Sequence, residues 1–127
     1  MLHHISLPFA DLAASKRLYG AALAALGCRL VAEAKGFAGY GVLDGEDILA
    51  LIERPDAQAA GPGFHVAFAA PTRQAVDRFH AQAMSQGAQD NGAPGLRPAY
   101  EPRYYAAFVI DADGHRLEVV CKEKRDV

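Results

Sequence analysis

Tryptophan is absent from this chain of 127 residues, and cysteine and methionine occur twice each. Cys28 and Cys121 form no Cys-x-x-Cys pair, so they offer no redox or zinc motif and read as reduced thiols in apolar runs. No stretch approaches the roughly 20 apolar residues that a membrane span requires. An excess of one charge is also lacking: 13 Lys and Arg face 15 Asp and Glu. Scattered cations at a net charge of −2 exclude the basic patch of a nucleic-acid or anionic-lipid binder. The opening Met-Leu-His-His-Ile-Ser has no basic and then apolar signal region, so a cytoplasmic protein is expected. A hydrophobic share of 51% at this length predicts one globular domain with a small-molecule partner.

Two helices carry their own punctuation. Asp11 caps a predicted helix over Leu12 to Leu26, with Leu12, Tyr19, Ala22, Leu23 and Leu26 on one stripe and Gly27 as the stop. Thr72 caps the second, Val76, Phe79, Ala83 and nearby Met84 form its stripe, and Gly87 closes it. Alternating runs predict strands at Leu2–Phe9, Arg29–Ala34, Phe37–Leu43, Ile48–Glu53, Phe64–Ala69, Tyr104–Ile110 and His115–Lys122. Asp44-Gly45 and Asp113-Gly114 supply turns. Glycines and prolines between Asp90 and Arg103 argue for a loop or a short irregular edge strand. The charged run Lys122 to Asp126 reads as a solvated terminus.

This order predicts a duplication, with modules of about 1–54 and 63–122 joined by a linker over 55–62. Placing His4 on His65 superimposes Ile5 on Val66, Leu7 on Phe68 and Leu18 on Phe79. Strand parity then sorts the faces, because residues two apart share a side. Ile5, Leu7 and Phe9 face a helix layer, leaving His4, Ser6 and Pro8 opposite. Phe64, Val66 and Phe68 leave His65 opposite, and Leu117, Val119 and Cys121 leave Glu118 opposite. If the sheet curves, His4, His65 and Glu118 converge as two imidazoles and a carboxylate. Such a set holds a divalent metal ion, iron(II), manganese, zinc, nickel or cobalt, with positions open for substrate or water. The plain alternative is three ordinary polar residues on solvated strand faces. His3 has the opposite parity to His4 and is set aside. The glycines between Gly36 and Gly41 lack the order and the following helix of a phosphate loop.

The segments His4-Ile-Ser-Leu-Pro-Phe-Ala-Asp11, Gly63-Phe-His65-Val-Ala-Phe68 and Asp111-Ala-Asp-Gly-His-Arg-Leu-Glu118 resemble the vicinal oxygen chelate superfamily of glyoxalases, extradiol dioxygenases, fosfomycin thiol transferases and bleomycin-binding proteins. The resemblance implies an α+β fold of two βαβββ modules forming a curved mixed sheet, often in a homodimer. It also implies metal ligation by His4, His65 and Glu118. Ala50 falls where glyoxalase I has a fourth ligand, which counts against that activity and leaves Ala50 as pocket lining. Arg103, Arg116 and Ser6 are the groups available for a phosphonate. For a dioxygenase, Tyr100, Tyr104 and Tyr105 are the available phenols, while His115 has the wrong parity and His80 lies on a helix. Tyr104 and Glu118 are accordingly the expected catalytic pair, with Ser6, Ala50, Arg103 and Tyr105 as expected substrate contacts. The expected function is a metal-dependent lyase, dioxygenase or thiol transferase that chelates vicinal oxygens. The rival is a metal-free binding protein that sequesters a small molecule.

Overall fold

Asp11 and Thr72 start the two helices as their chemistry dictates: each side-chain oxygen accepts from the backbone N–H three residues on, Ala14 at 3.1 Å and Ala75 at 3.0 Å. The computed structural model describes residues 1–123. In it β1 (Ile5–Phe9), α1 (Leu12–Ala24), β2 (Arg29–Ala34), β3 (Phe37–Gly41) and β4 (Leu49–Glu53) form one βαβββ unit. β5 (Val66–Ala69), α2 (Arg73–Ser85), β6 (Gln89–Leu96), β7 (Tyr105–Ile110) and β8 (Arg116–Cys121) repeat it. Both helices close in one way. Gly27 and Gly87 adopt φ of 82° and 95°, and the amides of Cys28 and Ala88 reach back to the carbonyls of Leu23 and Ala83. This closure satisfies carbonyls that the helix end leaves open, in a conformation that glycine adopts without strain.

Two four-stranded mixed sheets result, ordered β1-β4-β3-β2 and β5-β8-β7-β6. β1 runs parallel to β4 and β5 to β8, and the remaining pairs are antiparallel. The faces follow the expected parity: Leu7, Phe9, Leu117, Val119 and Cys121 are buried beside Tyr19, Leu23, Val76 and Phe79 in one cluster fed by both units.

Polar groups stitch the units together. Tyr19 donates its O–H to Asp111 at 2.6 Å, Ala10 N–H donates to Asp113 at 2.8 Å, and His115 Nε2 donates to the Pro8 carbonyl at 2.6 Å. Asp111 also accepts from the amides of Asp113 and His115, so this buried carboxylate shapes the β7–β8 turn while holding α1.

Several expected boundaries move. Leu2–His4 precede β1 and Phe64–His65 precede β5, because the parallel ladders begin at Ile5 opposite Leu49 and at Val66 opposite Leu117. The Asp90–Arg103 segment opens as edge strand β6, whose register slips twice, on either side of Gly92. Pro94 is tolerated there because an edge strand need not donate on both sides. Val42 and Leu43 lie outside β3, and the turn at Gly45 is closed by an isolated Leu43–Glu46 bridge. Both thiols are free. Among the described residues, no helix is long and apolar enough to cross a membrane. The charged run from Lys122 passes beyond them at residue 124.

Candidate functional site

In the second sheet, register brings polar groups to one face. Glu118 on β8 lies between Ala67 on β5 and Phe108 on β7. His65, two residues before Ala67, extends the same row. The Glu118 side chain is 4% exposed and that of His65 50% exposed, with His65 Nε2 2.9 Å from Glu118 Oε1. The other carboxylate oxygen, Oε2, accepts from the Tyr104 hydroxyl. Burial and the adjacent Glu118 carboxylate push the Tyr104 phenol up to about 12, so it keeps its proton at neutral pH. Tyr100 packs edge-on against Tyr104, with centroids 5.0 Å apart. A cleft of about 230 Å³ opens alongside, lined by Phe64, His65, Asn91, Tyr100, Phe108 and Arg116.

His4 lies elsewhere. It lines a separate cleft of about 250 Å³ between the starts of β1 and β5, with Ile48, Val66 and Phe68. Its Nδ1 is 2.8 Å from that of His3, and the two rings meet edge to face. Within one chain the expected triad is therefore divided: His65 and Glu118 meet, and His4 does not join them. Among the described residues, no three His, Cys, Asp or Glu side chains converge as a metal-holding group. The cause is topological. Each histidine precedes the first strand of its own sheet, and Glu118 belongs to the second sheet alone.

The expected substrate contacts also separate. Ser6 and Arg103 are exposed. Ala50 is 2% exposed, so within the single chain it offers almost no surface to a ligand. Tyr105 turns the other way from Tyr104: its hydroxyl donates to Asp77 of α2 at 2.6 Å, and the Arg73 guanidinium lies 5.2 Å from its ring centroid. Within the chain those contacts hold it against α2, and alternation along the strand is the reason. His115 is buried against Phe9 and serves the seam, whereas His80 meets Asp90 at 3.0 Å. Phe64, Asn91 and Phe108 were not anticipated as cleft lining. Phe108 becomes legible only once its pairing with Glu118 is known.

Comparisons with known proteins follow the same outline. A profile of the Glyoxalase/Bleomycin resistance protein/Dioxygenase superfamily matches residues 1–119. No curated protein matches the chain. Among solved structures it is similar to a glyoxalase/bleomycin resistance protein from Albidiferax ferrireducens T118, at 25% identity and a TM-score of 0.83, covering 97% of this chain and 99% of that one. A glyoxalase/bleomycin resistance protein/dioxygenase family enzyme from Burkholderia phytofirmans PsJN shares the fold at 17% identity and a TM-score of 0.72, with 95% and 98% covered. So does a glyoxalase-related enzyme from Fulvimarina pelagi, at 19% identity and a TM-score of 0.71, with 95% and 87% covered. The chain belongs to the glyoxalase/bleomycin resistance protein/dioxygenase superfamily.

Proposed function

We propose that this protein is a divalent-metal-dependent enzyme acting on a small molecule with two neighbouring oxygens. Its ligands would be His65 and Glu118 of one chain and His4 of a second copy in a homodimer. The observation that carries this reading is the pair His65 Nε2 and Glu118 Oε1, 2.9 Å apart beside an open cleft. Two ligands of one divalent ion stand about 3 Å apart, and an imidazole with a carboxylate suits iron(II), manganese, zinc or nickel. The donor set fits, provided that His65 keeps its proton on Nδ1 and frees Nε2. A bound ion would supply Lewis-acid stabilisation of charge developing on substrate oxygen.

The chain's own groups do the rest. Tyr104, protonated at neutral pH, orients the Glu118 carboxylate and holds a proton beside the cleft. The ring of Tyr100 packs edge-on against Tyr104, and Phe108 stands opposite Glu118 across the sheet, so the two rings flank that hydroxyl and carboxylate. Lyase, dioxygenase and thiol-transferase outcomes all remain within this scheme. The reading treats modules 1–54 and 63–122 as one domain, which their shared core supports. It also assumes a cytoplasmic location, with which the two free thiols agree.

One observation favours a metal-free binding protein instead: both Glu118 oxygens already have partners inside the chain, His65 and Tyr104. Metal content decides between the two. After reconstitution with each of the four metals, mass spectrometry should find about one ion per chain in the wild type and none in Glu118→Gln or His4→Ala. Absence of a stoichiometric ion under every condition would replace the enzyme reading with the binding one.

A further inference from the structure

We propose that the cleft beside Glu118 takes a flat organic anion, an aromatic carboxylate, with its charge on Arg116 and its ring against Phe64 and Tyr100. The inference deepens the reading above by naming a ligand class for the same face, yet it uses no ion. Arg116 precedes Glu118 by two residues on β8, so both side chains leave the same face, about 7 Å apart along the strand. Several cations have carboxylate partners, Lys16 with Glu33, Arg29 with Asp44, Arg54 with Asp56 and Lys122 with Glu101, and of the remaining ones it is Arg116 that lines this cleft. Arg97 donates to the Ala93 carbonyl and lies over the Phe108 ring. Arg116 lines the cleft and, among the described residues, meets no carboxylate.

The other walls select for shape. Phe64 is 47% exposed and Tyr100 61% exposed, and both border the cleft together with Phe108, so aromatic surface is grouped beside Arg116. Glu118 meets His65 and Tyr104, and Glu101 meets Lys122, so the partners of both carboxylates lie away from Arg116. A cavity of about 150 Å³ holds one benzene ring, and about 230 Å³ therefore suits one ring with a short acidic arm. A guanidinium pairs with a planar carboxylate through two parallel N–H donors, which fixes the ligand's direction along the cleft.

The test uses the full-length protein after treatment with a chelator, titrated calorimetrically with phenylacetate, with its neutral isostere phenylacetamide, and with acetate. Phenylacetate should bind at least about tenfold more tightly than either of the others, the difference expected of a charge-assisted contact plus ring burial. Arg116→Gln, at an exposed position, should keep the native circular dichroism and erase the gap between acid and amide. Tyr100→Ala should weaken acid and amide alike. Equal binding of acid and amide, a gap that survives Arg116→Gln, or no saturable binding of phenylacetate each overturns the proposal. Metal content is a separate readout: acid selectivity in a protein that never holds an ion would retire the enzyme reading and leave this inference standing.

Discussion

Asp111 concentrates more of the fold's polar bonding than any other single side chain described above, and its loss should show it. It accepts from Tyr19 and from the amides of Asp113 and His115 while 7% exposed. Asp111→Ala leaves the buried Tyr19 hydroxyl and His115 amide without this acceptor, and urea unfolding should show a loss of about 2 kcal/mol or more. Tyr105 yields a pH prediction. Its hydrogen bond to Asp77, then burial, pushes the phenol from 10.0 to about 12, although the Arg73 and Arg97 guanidinium groups oppose the shift. The neutral form is thus favoured by folding. Its contribution is fully present below pH 10.0 and lost as pH rises towards about 12. Urea midpoints across that interval should fall less steeply for Tyr105→Phe than for the wild type.

At the scale of elements, the helix starts rest on single hydroxyl or carboxylate groups. Thr72→Ala removes the acceptor for the Ala75 amide, and thermal or urea unfolding should register a loss of about 1 kcal/mol. β6 is the weakest strand on geometric grounds: it lies at an edge, slips register twice and contains Pro94. Its amides should exchange with solvent well before those of β7 and β8, and equal protection across the three strands would contradict this ranking. The helices were the most legible elements, because caps and closing glycines are local signals. β6 was the least legible, since its hydrogen bonds come from a partner strand and not from its own pattern.

For the whole molecule, division of the histidines between two clefts makes a strong demand: a three-ligand site needs a second copy of the chain. Light scattering should therefore give twice the 13.5 kDa chain mass. A monomer would remove the shared site. A sharper prediction concerns mixtures. His4→Ala and Glu118→Gln should each hold no ion alone, yet refolding them together should restore about a quarter of wild-type capacity. Half of the dimers would then be mixed, each with one intact site of two.

Residue spacing alone determined the two modules, the helix limits to within a turn, and the strand alternation on which the expected placement of His4, His65 and Glu118 rests. Those follow from short-range rules of capping and alternation, which every chain segment carries within itself. Tertiary structure decided which of those residues meet. Parity states the side of a sheet on which a group lies, and only the strand order β5-β8-β7 sets Glu118 between Ala67 and Phe108 and so within reach of His65. Only the separation of the two sheets keeps His4 out of that group, because ladder hydrogen bonds between distant segments leave no mark on the local pattern of either.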